Sequence, residues 1–215
     1  MPPIINVSDE VFEGLKKMGV SYEIVAAAPS SIPKNFIYVP STKLHVAKEK
    51  SLQGRNWFDS HKNGMQTLPK FVEFLKYARK HNQDIYNEIT QIRNPFRGEW
   101  IDAYFEKRKD GMYVLTENKT RIEKLDEGTL MEDKKISLDS WLDNPTKQGL
   151  PKKEVEKGNL DFWYPRNNSV ATFFANGVGS DLDCNRYPPN SYSYLGVRAV
   201  GRWGVSDVLL VLKEL

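Results

Sequence analysis

Cysteine is nearly absent from this chain of 215 residues: Cys184 stands alone, so no intramolecular disulfide can staple the fold. Histidine is almost as scarce. His45, His61 and His81 are far apart and share no ligand spacing with one another or with Cys184, so neither a metal centre nor a Cys/His nucleophile is expected. No apolar run reaches the length of a membrane span, and the opening Met-Pro-Pro-Ile-Ile-Asn lacks the basic flank and apolar core of a secretion signal. Nucleotide-binding glycine fingerprints, heptads and internal repeats are also missing. The net charge of +3 comes from 31 basic against 28 acidic residues, too even a balance for a surface that tracks phosphates, so no nucleic-acid partner is expected. The length suffices for a core without staples, and the expectation is one soluble domain over residues 1–215.

A further absence is local. Residues 1–157 hold 26 of the basic and 23 of the acidic side chains, whereas residues 158–215 carry five of each and no net charge. Between 164 and 202 there is no Lys, Glu, Gln, Met or Trp, although these five types supply 51 of the 215 residues. Two causes would produce such a gap. One is selection for a recognition surface, in which Tyr supplies rigid contact area and Ser, Asn and Gly supply adaptable hydrogen bonding. The other lies in the genetic code: asparagine codons AAY randomised at their adenines yield only codons ending in a pyrimidine, and those cannot encode the five missing types. The chain thus divides into a charged scaffold part, 1–157, and a part suited to display, 158–215.

In the scaffold, Ser8 can cap a helix with Val11, Leu15 and Met18 on one face and Gly19 at its end. Tyr22 to Ala26, Phe36 to Val39 and Leu44 to Lys48 read as short strands, with His45 pointing outward, and the stretch from Trp57 to His61 reads as a loop. Pro69 in a first turn after Thr67, with Phe71, Phe74, Leu75 and Ala78 at helical spacing, predicts a helix whose basic residues from Lys70 to His81 form a solvated face. A shorter helix starts near Asp84 and carries Ile85 and Ile89. Glu99 to Glu106 alternates Ile101, Ala103 and Phe105 against Trp100, Asp102 and Tyr104, a strand with a packed second face that Met112 to Thr116 pairs with. Residues 118–135 read as a solvated hairpin or loop, and Ser137 opens a brief helix through Trp141. In the tail, Leu160 to Tyr164, Ser169 to Ala175, Leu195 to Val200 and Val208 to Leu212 read as strands, with residues 176–194 a long irregular loop of the kind that binds.

The candidate variable positions are Phe174, Asn176, Gly177, Val178, Gly179, Asp181, Asp183, Asn185, Arg186, Tyr187, Asn190, Tyr192 and Tyr194, all encodable by codons ending in a pyrimidine. Between them Val170, Phe173, Ala175, Leu182, Cys184, Pro188, Ser191, Ser193 and Leu195 read as a fixed frame, and period two at 182–185 and 190–195 sends frame and displayed residues to opposite sides. Cys184 is then a small buried hydrophobe. Asp181 and Asp183 alone fall short of the six to eight oxygen donors that calcium takes, so no metal and no cofactor are expected.

With Asn168-Ser-Val-Ala-Thr-Phe, this frame and the closing Leu195-Gly-Val-Arg-Ala-Val, the sequence resembles the variable proteins of diversity-generating retroelements, in particular the archaeal kind. The resemblance extends to Trp57-Phe-Asp-Ser-His, Leu68-Pro-Lys-Phe-Val-Glu-Phe-Leu and Gly98-Glu-Trp-Ile-Asp-Ala, and covers most of residues 36–202. It implies an α+β, C-type lectin-like fold: two helices beside small antiparallel sheets and a long irregular C-terminal display region. It further implies a non-enzymatic protein that binds a protein or cell-surface ligand through residues diversified by adenine-directed mutagenesis; such a protein should reach a cell or virion surface, yet the sequence shows no export signal, so its location stays open. The chain lacks the Glu-Pro-Asn and Trp-Asn-Asp triplets and the disulfide cysteines of calcium-dependent lectins, so calcium-independent binding is expected. The alternatives are an enzyme resembling formylglycine-generating enzymes, whose paired cysteines a single Cys184 cannot supply, and a structural subunit of a virion or surface layer.

Overall fold

A computed structural model describes residues 34–61 and 64–201, Lys17, and the backbone of three further strands. In chain order its elements are β1 (Ile4–Asn6), β2 (Tyr22–Ala26), β3 (Phe36–Val39), β4 (Leu44–Ala47), α1 (Trp57–Ser60), α2 (Leu68–His81), α3 (Gln83–Thr90), β5 (Arg97–Arg108), β6 (Gly111–Thr116), β7 (Arg121–Lys124) and β8 (Lys134–Ile136). After them come α4 (Leu138–Asp143), β9 (Leu160–Trp163), β10 (Ser169–Ala175), β11 (Ser180–Arg186), β12 (Leu195–Gly196), β13 (Val200–Gly201) and β14 (Val208–Leu212). The result is a strand-rich mixture of helix and sheet, as the α+β reading expects.

The chain forms two compact units, residues 1–36 with 201–215 and residues 37–200. In the first, β14 lies between β1 and β2 and runs antiparallel to both. Of the helix expected from Ser8 to Met18, Lys17 is described and is helical; the rest lies outside the described residues. The compositional step at Lys157 falls inside the second unit and marks no structural boundary.

The second unit is built on a sheet in the order β7-β6-β5-β10-β11-β9-β8, with β12 added alongside β5. This sheet is mixed, because β11 runs parallel to β9 and β12 parallel to β5, while the small sheets expected are the three-stranded β1-β14-β2 and β13-β4-β3. The helical stripe of α2 covers one face: Phe71, Phe74 and Leu75 are fully buried with Ile101, Phe105, Phe173 and Leu182. The ring of Phe71 lies 5.4 Å from that of Phe173, and Trp141 of α4 stacks on the same ring at 6.2 Å. Opposite this core, Trp57, Met65, Trp100, Val170, Phe174, Leu195 and Val197 form a second apolar cluster. Both faces of β5 are therefore covered over residues 97–103, and the packed second face read from Trp100 and Asp102 is what forms.

Four expectations change. Trp57–Ser60 is a helical turn, not a loop: Asn56 caps it by accepting from the Asp59 N–H at 2.9 Å, a signal too short to show as an apolar period. His45 points inward and is buried, since β4 is the middle strand between β3 and β13 and every residue of β4 is covered. Residues 176–194 are not one irregular loop. Ser180–Arg186 forms β11, because its backbone finds partners on both sides, β10 antiparallel and β9 parallel. Finally, Leu195 to Val200 splits into β12 and β13, each of two residues, because its two ends join different sheets.

Candidate functional site

The register of β10 with β11 sets Phe174 against Asp181 and Thr172 against Asp183, and that of β11 with β9 sets Asp183 against Trp163. Alternation then sends Phe173, Leu182 and Cys184 into the helix-covered core and Phe174, Asp181 and Asp183 to the opposite face. There, Arg186 forms an ion pair with Asp183 at 2.8 Å, and its guanidinium carbon sits 4.8 Å from the ring centre of Phe174 and 5.2 Å from that of Tyr192. Tyr194 completes the group, 5.5 Å from Tyr192 and 6.2 Å from Phe174.

The edge of this group is a built turn. Asn176 Oδ1 accepts from the N–H groups of Val178 and Gly179, and its Nδ2 donates to Asp181 Oδ2 at 2.8 Å. The other Asp181 oxygen accepts from the indole of Trp163 at 3.2 Å. Burial raises the carboxyl pKa values of both Asp181 and Asp183, although Trp163 and Arg186 respectively pull them back.

The stretch after β11 is tied down by its backbone. Pro188 O accepts from Trp57 N–H at 3.1 Å, and Tyr194 O accepts from Gly98 N–H at 3.0 Å and from Lys50 Nζ at 2.5 Å. Burial lowers the Lys50 pKa to about 8. Tyr192 and Tyr194 thus sit on a tied-down turn, closed by the Leu195 N–H donating to Tyr192 O at 3.0 Å.

Of the candidate positions, the structure brings together Phe174, Asn176, Asp181, Asp183, Arg186, Tyr192 and Tyr194. Gly177 and Val178 occupy the exposed tip of the β10–β11 turn, Tyr187 and Asn190 are exposed on the loop that follows, and Asn185 is half-buried. Three positions expected to be displayed are buried instead: Phe174 in the second cluster, Asp181 under Trp163 and Asn176, and Gly179 in the turn. Conversely, Ser191 and Ser193 of the frame are exposed, because the turn there packs Tyr192 and Tyr194, not the serines, against the second cluster. Trp163, Phe96 and Lys50 went unnoticed in the sequence. Trp163 is 42% exposed and closes β9 beside Asp183, and Phe96 packs edge-on to Tyr194 at 5.8 Å. A tryptophan ending the alternation Leu160-Asp-Phe-Trp was the available signal for the first.

Further along β5, a pocket bounded by Phe58, His61, Met65, Lys70, Asp102 and Glu117 contains a buried pair. His61 Nε2 faces Asp102 Oδ1 at 3.6 Å, while Asp102 Oδ2 accepts from the Glu117 N–H at 2.7 Å. Burial lowers the His61 pKa to about 4 and raises that of Asp102 to about 6. The consequences for stability oppose each other. A carboxyl with a raised pKa binds more proton in the folded state, so its contribution is lost as pH rises from about 4 to 6; a lowered histidine loses its contribution as pH falls from about 6.5 to 4. In the intact protein the two slopes should nearly cancel. His61→Gln is expected to make stability fall with rising pH across that window, and Asp102→Asn to make it fall with falling pH. Urea midpoints at stepped pH measure both, and two variants that track the parent would refute the burial-driven shifts.

No family model, curated protein or solved structure matches the chain. Among the described residues no group of three or more His, Cys, Asp or Glu side chains could hold a metal ion, and no helix is long and apolar enough to cross a membrane. Cys184 is fully buried and burial raises its pKa well above the ordinary thiol value, which disfavours the thiolate that nucleophilic chemistry requires.

Proposed function

We propose that the protein is a ligand-recognition protein of C-type lectin-like fold, whose binding face is the side of β10, β11 and β9 turned away from the helices, extended by the loop 187–194. Its variable positions would be diversified by adenine-directed mutagenesis and its ligand would be a protein or cell-surface molecule. The observation that carries this reading is the partition of the strands. Ala171, Phe173, Leu182 and Cys184 face the helix-covered core, while Asp183, Arg186, Tyr192 and Tyr194 gather, half-buried, on the opposite side. Side chains can therefore vary there without entering the core formed with α2 and α4. The stretch of the family resemblance, residues 36–202, also nearly coincides with the compact unit 37–200.

The decisive observation is genomic: a near-copy of the segment encoding residues 170–198 close to the gene, differing where the copy has adenine, beside a reverse transcriptase. The corresponding test on the protein uses burial. Changing Val178, Tyr187 and Asn190 together to serine should move the melting temperature by no more than about 3 °C, as surface changes do. Phe174→Ser should cost about 3 kcal/mol, because it empties a buried ring position in the second cluster. Scanning calorimetry compares them. A large loss in the triple variant would remove those positions from the surface and sink the display reading.

A further inference from the structure

The group around Arg186 has the composition of a cation site. Two aromatic faces flank the guanidinium at 4.8 and 5.2 Å, a carboxylate holds it at 2.8 Å, and the rings of Phe174, Tyr192 and Tyr194 brace one another at 5.5 to 6.2 Å. Rings and carboxylate come from separate places in the chain, β10, β11 and the loop after it, so the enclosure belongs to the fold and not to one local turn. Arg186 itself comes from the end of β11, three residues beyond its partner Asp183. Its side chain is an intramolecular occupant, present at the high effective concentration that short tethers confer.

We infer that Phe174, Tyr192 and Asp183 form a cation subsite of the binding face, which Arg186 closes from within and which an arginine side chain of a protein ligand occupies when residue 186 is small. The inference rests on the recognition reading above and deepens it. Positions 174, 183, 186 and 192 are all candidate variable positions, so diversification would open or shut the subsite at 186 and remake its walls at the other three. A flat guanidinium suits it better than a compact ammonium, because it can stack on both rings while donating to the carboxylate. The second aspartate does not compete for the cation, since Trp163 and Asn176 already hold Asp181.

The test uses the full chain and Nα-acetyl-L-arginine amide, a monocation, followed by isothermal titration and by tryptophan fluorescence at about pH 8, on the alkaline side to favour the carboxylate form of Asp183. Arg186→Gly should bind the probe in the millimolar range while the parent does not. The citrulline analogue, of the same shape but uncharged, should bind at least about tenfold more weakly. Adding Asp183→Asn to Arg186→Gly should abolish binding. Circular dichroism establishes that the variants are folded, and Arg186→Ser replaces Arg186→Gly if the glycine variant is not. Equal binding by parent and variant, equal binding of the citrulline analogue, or no binding by a folded variant would each overturn the subsite. If the probe binds as expected and no template copy flanks the gene, the subsite stands and diversification falls. If a template copy exists and the probe does not bind, the reverse holds.

Discussion

Arg198→Met is expected to destabilise the protein by about 3 to 5 kcal/mol, the cost of breaking a buried ion network by removing one partner. The Arg198 side chain is 1% exposed. Its guanidinium donates to Glu99 Oε1 at 2.8 Å, to Glu88 Oε2 at 2.8 Å, to Ala47 O at 3.0 Å and to Lys48 O. Arg97 bonds the same two carboxylates, and Arg93 lies 3.6 Å from Glu88 Oε1, so three arginines and two glutamates form the network. Burial raises the cost of charging Glu99, yet Arg198 and Arg97 override it and hold its carboxyl below the ordinary value.

A methionine of similar size fills the space but leaves Glu99 with one cation, and two backbone carbonyls lose their donor. The melting temperature should fall by roughly 6 to 20 °C. Arg198→Met combined with Glu99→Gln should recover part of that loss, because it removes the buried carboxylate that the lost arginine leaves with a single cation. A drop below about 2 °C for the single change, or no recovery in the double, would show that the network does not hold the fold. The network joins α3, β5 and the end of β4 to the segment that follows Tyr192 and Tyr194, so its loss should also weaken whatever the face binds.

Gly149→Ala is the second large effect. Gly149 has φ +80°, and a Cβ there would meet Pro69 N at 2.7 Å and Leu68 C at 2.8 Å. Those atoms are backbone at the start of α2, whose Leu68 and Phe71 are in the core, so they cannot swing aside. The turn cannot yield either: Gly149 N–H donates to Thr146 O at 2.9 Å, Gly149 O accepts from the Trp141 indole at 2.9 Å, and Thr146 N–H donates to Leu150 O at 2.8 Å. The left-handed backbone costs an alanine about 1 kcal/mol and the overlap a further 1 to 3 kcal/mol. Gly54→Ala separates the two effects, since φ there is +75° with nothing within 4 Å of the added carbon. Urea denaturation should show Gly149→Ala losing at least twice what Gly54→Ala loses; equal losses would mean that the contact with α2 is absent.

What could be read from the residues depended on how far each signal extends along the chain. The apolar stripe Phe71, Phe74, Leu75, Ala78 repeats over three turns, and α2 runs over Leu68–His81. The alternation of β5 and the runs at 22–26, 36–39, 111–116 and 169–175 likewise place strands where they occur. The turn at Asn56 to Ser60 has one period or less and left no comparable trace. Residues 180–186 carry two aspartates, an asparagine and an arginine among few apolar residues, a poor strand by propensity. They form one because β10 and β9 offer ladder partners on both edges, a fact of topology that no window of sequence contains.

The binding face follows the same division. Composition alone separates the tail from the scaffold, and period two alone assigns Leu182 and Cys184 to one side and Asp181 and Asp183 to the other, because alternation is a property of any extended chain. Depth is different. That Phe174 and Asp181 are covered, that Arg186 folds back over Phe174 and Tyr192, and that Trp163 joins them from β9 all depend on which strands become neighbours. Arg198 shows it most plainly. In the sequence it is the charged residue of Leu195-Gly-Val-Arg, and only the tertiary structure brings Glu88 and Glu99, about a hundred residues away, within 2.8 Å of it. Local periodicity sets which side a residue faces; long-range pairing sets what it meets there.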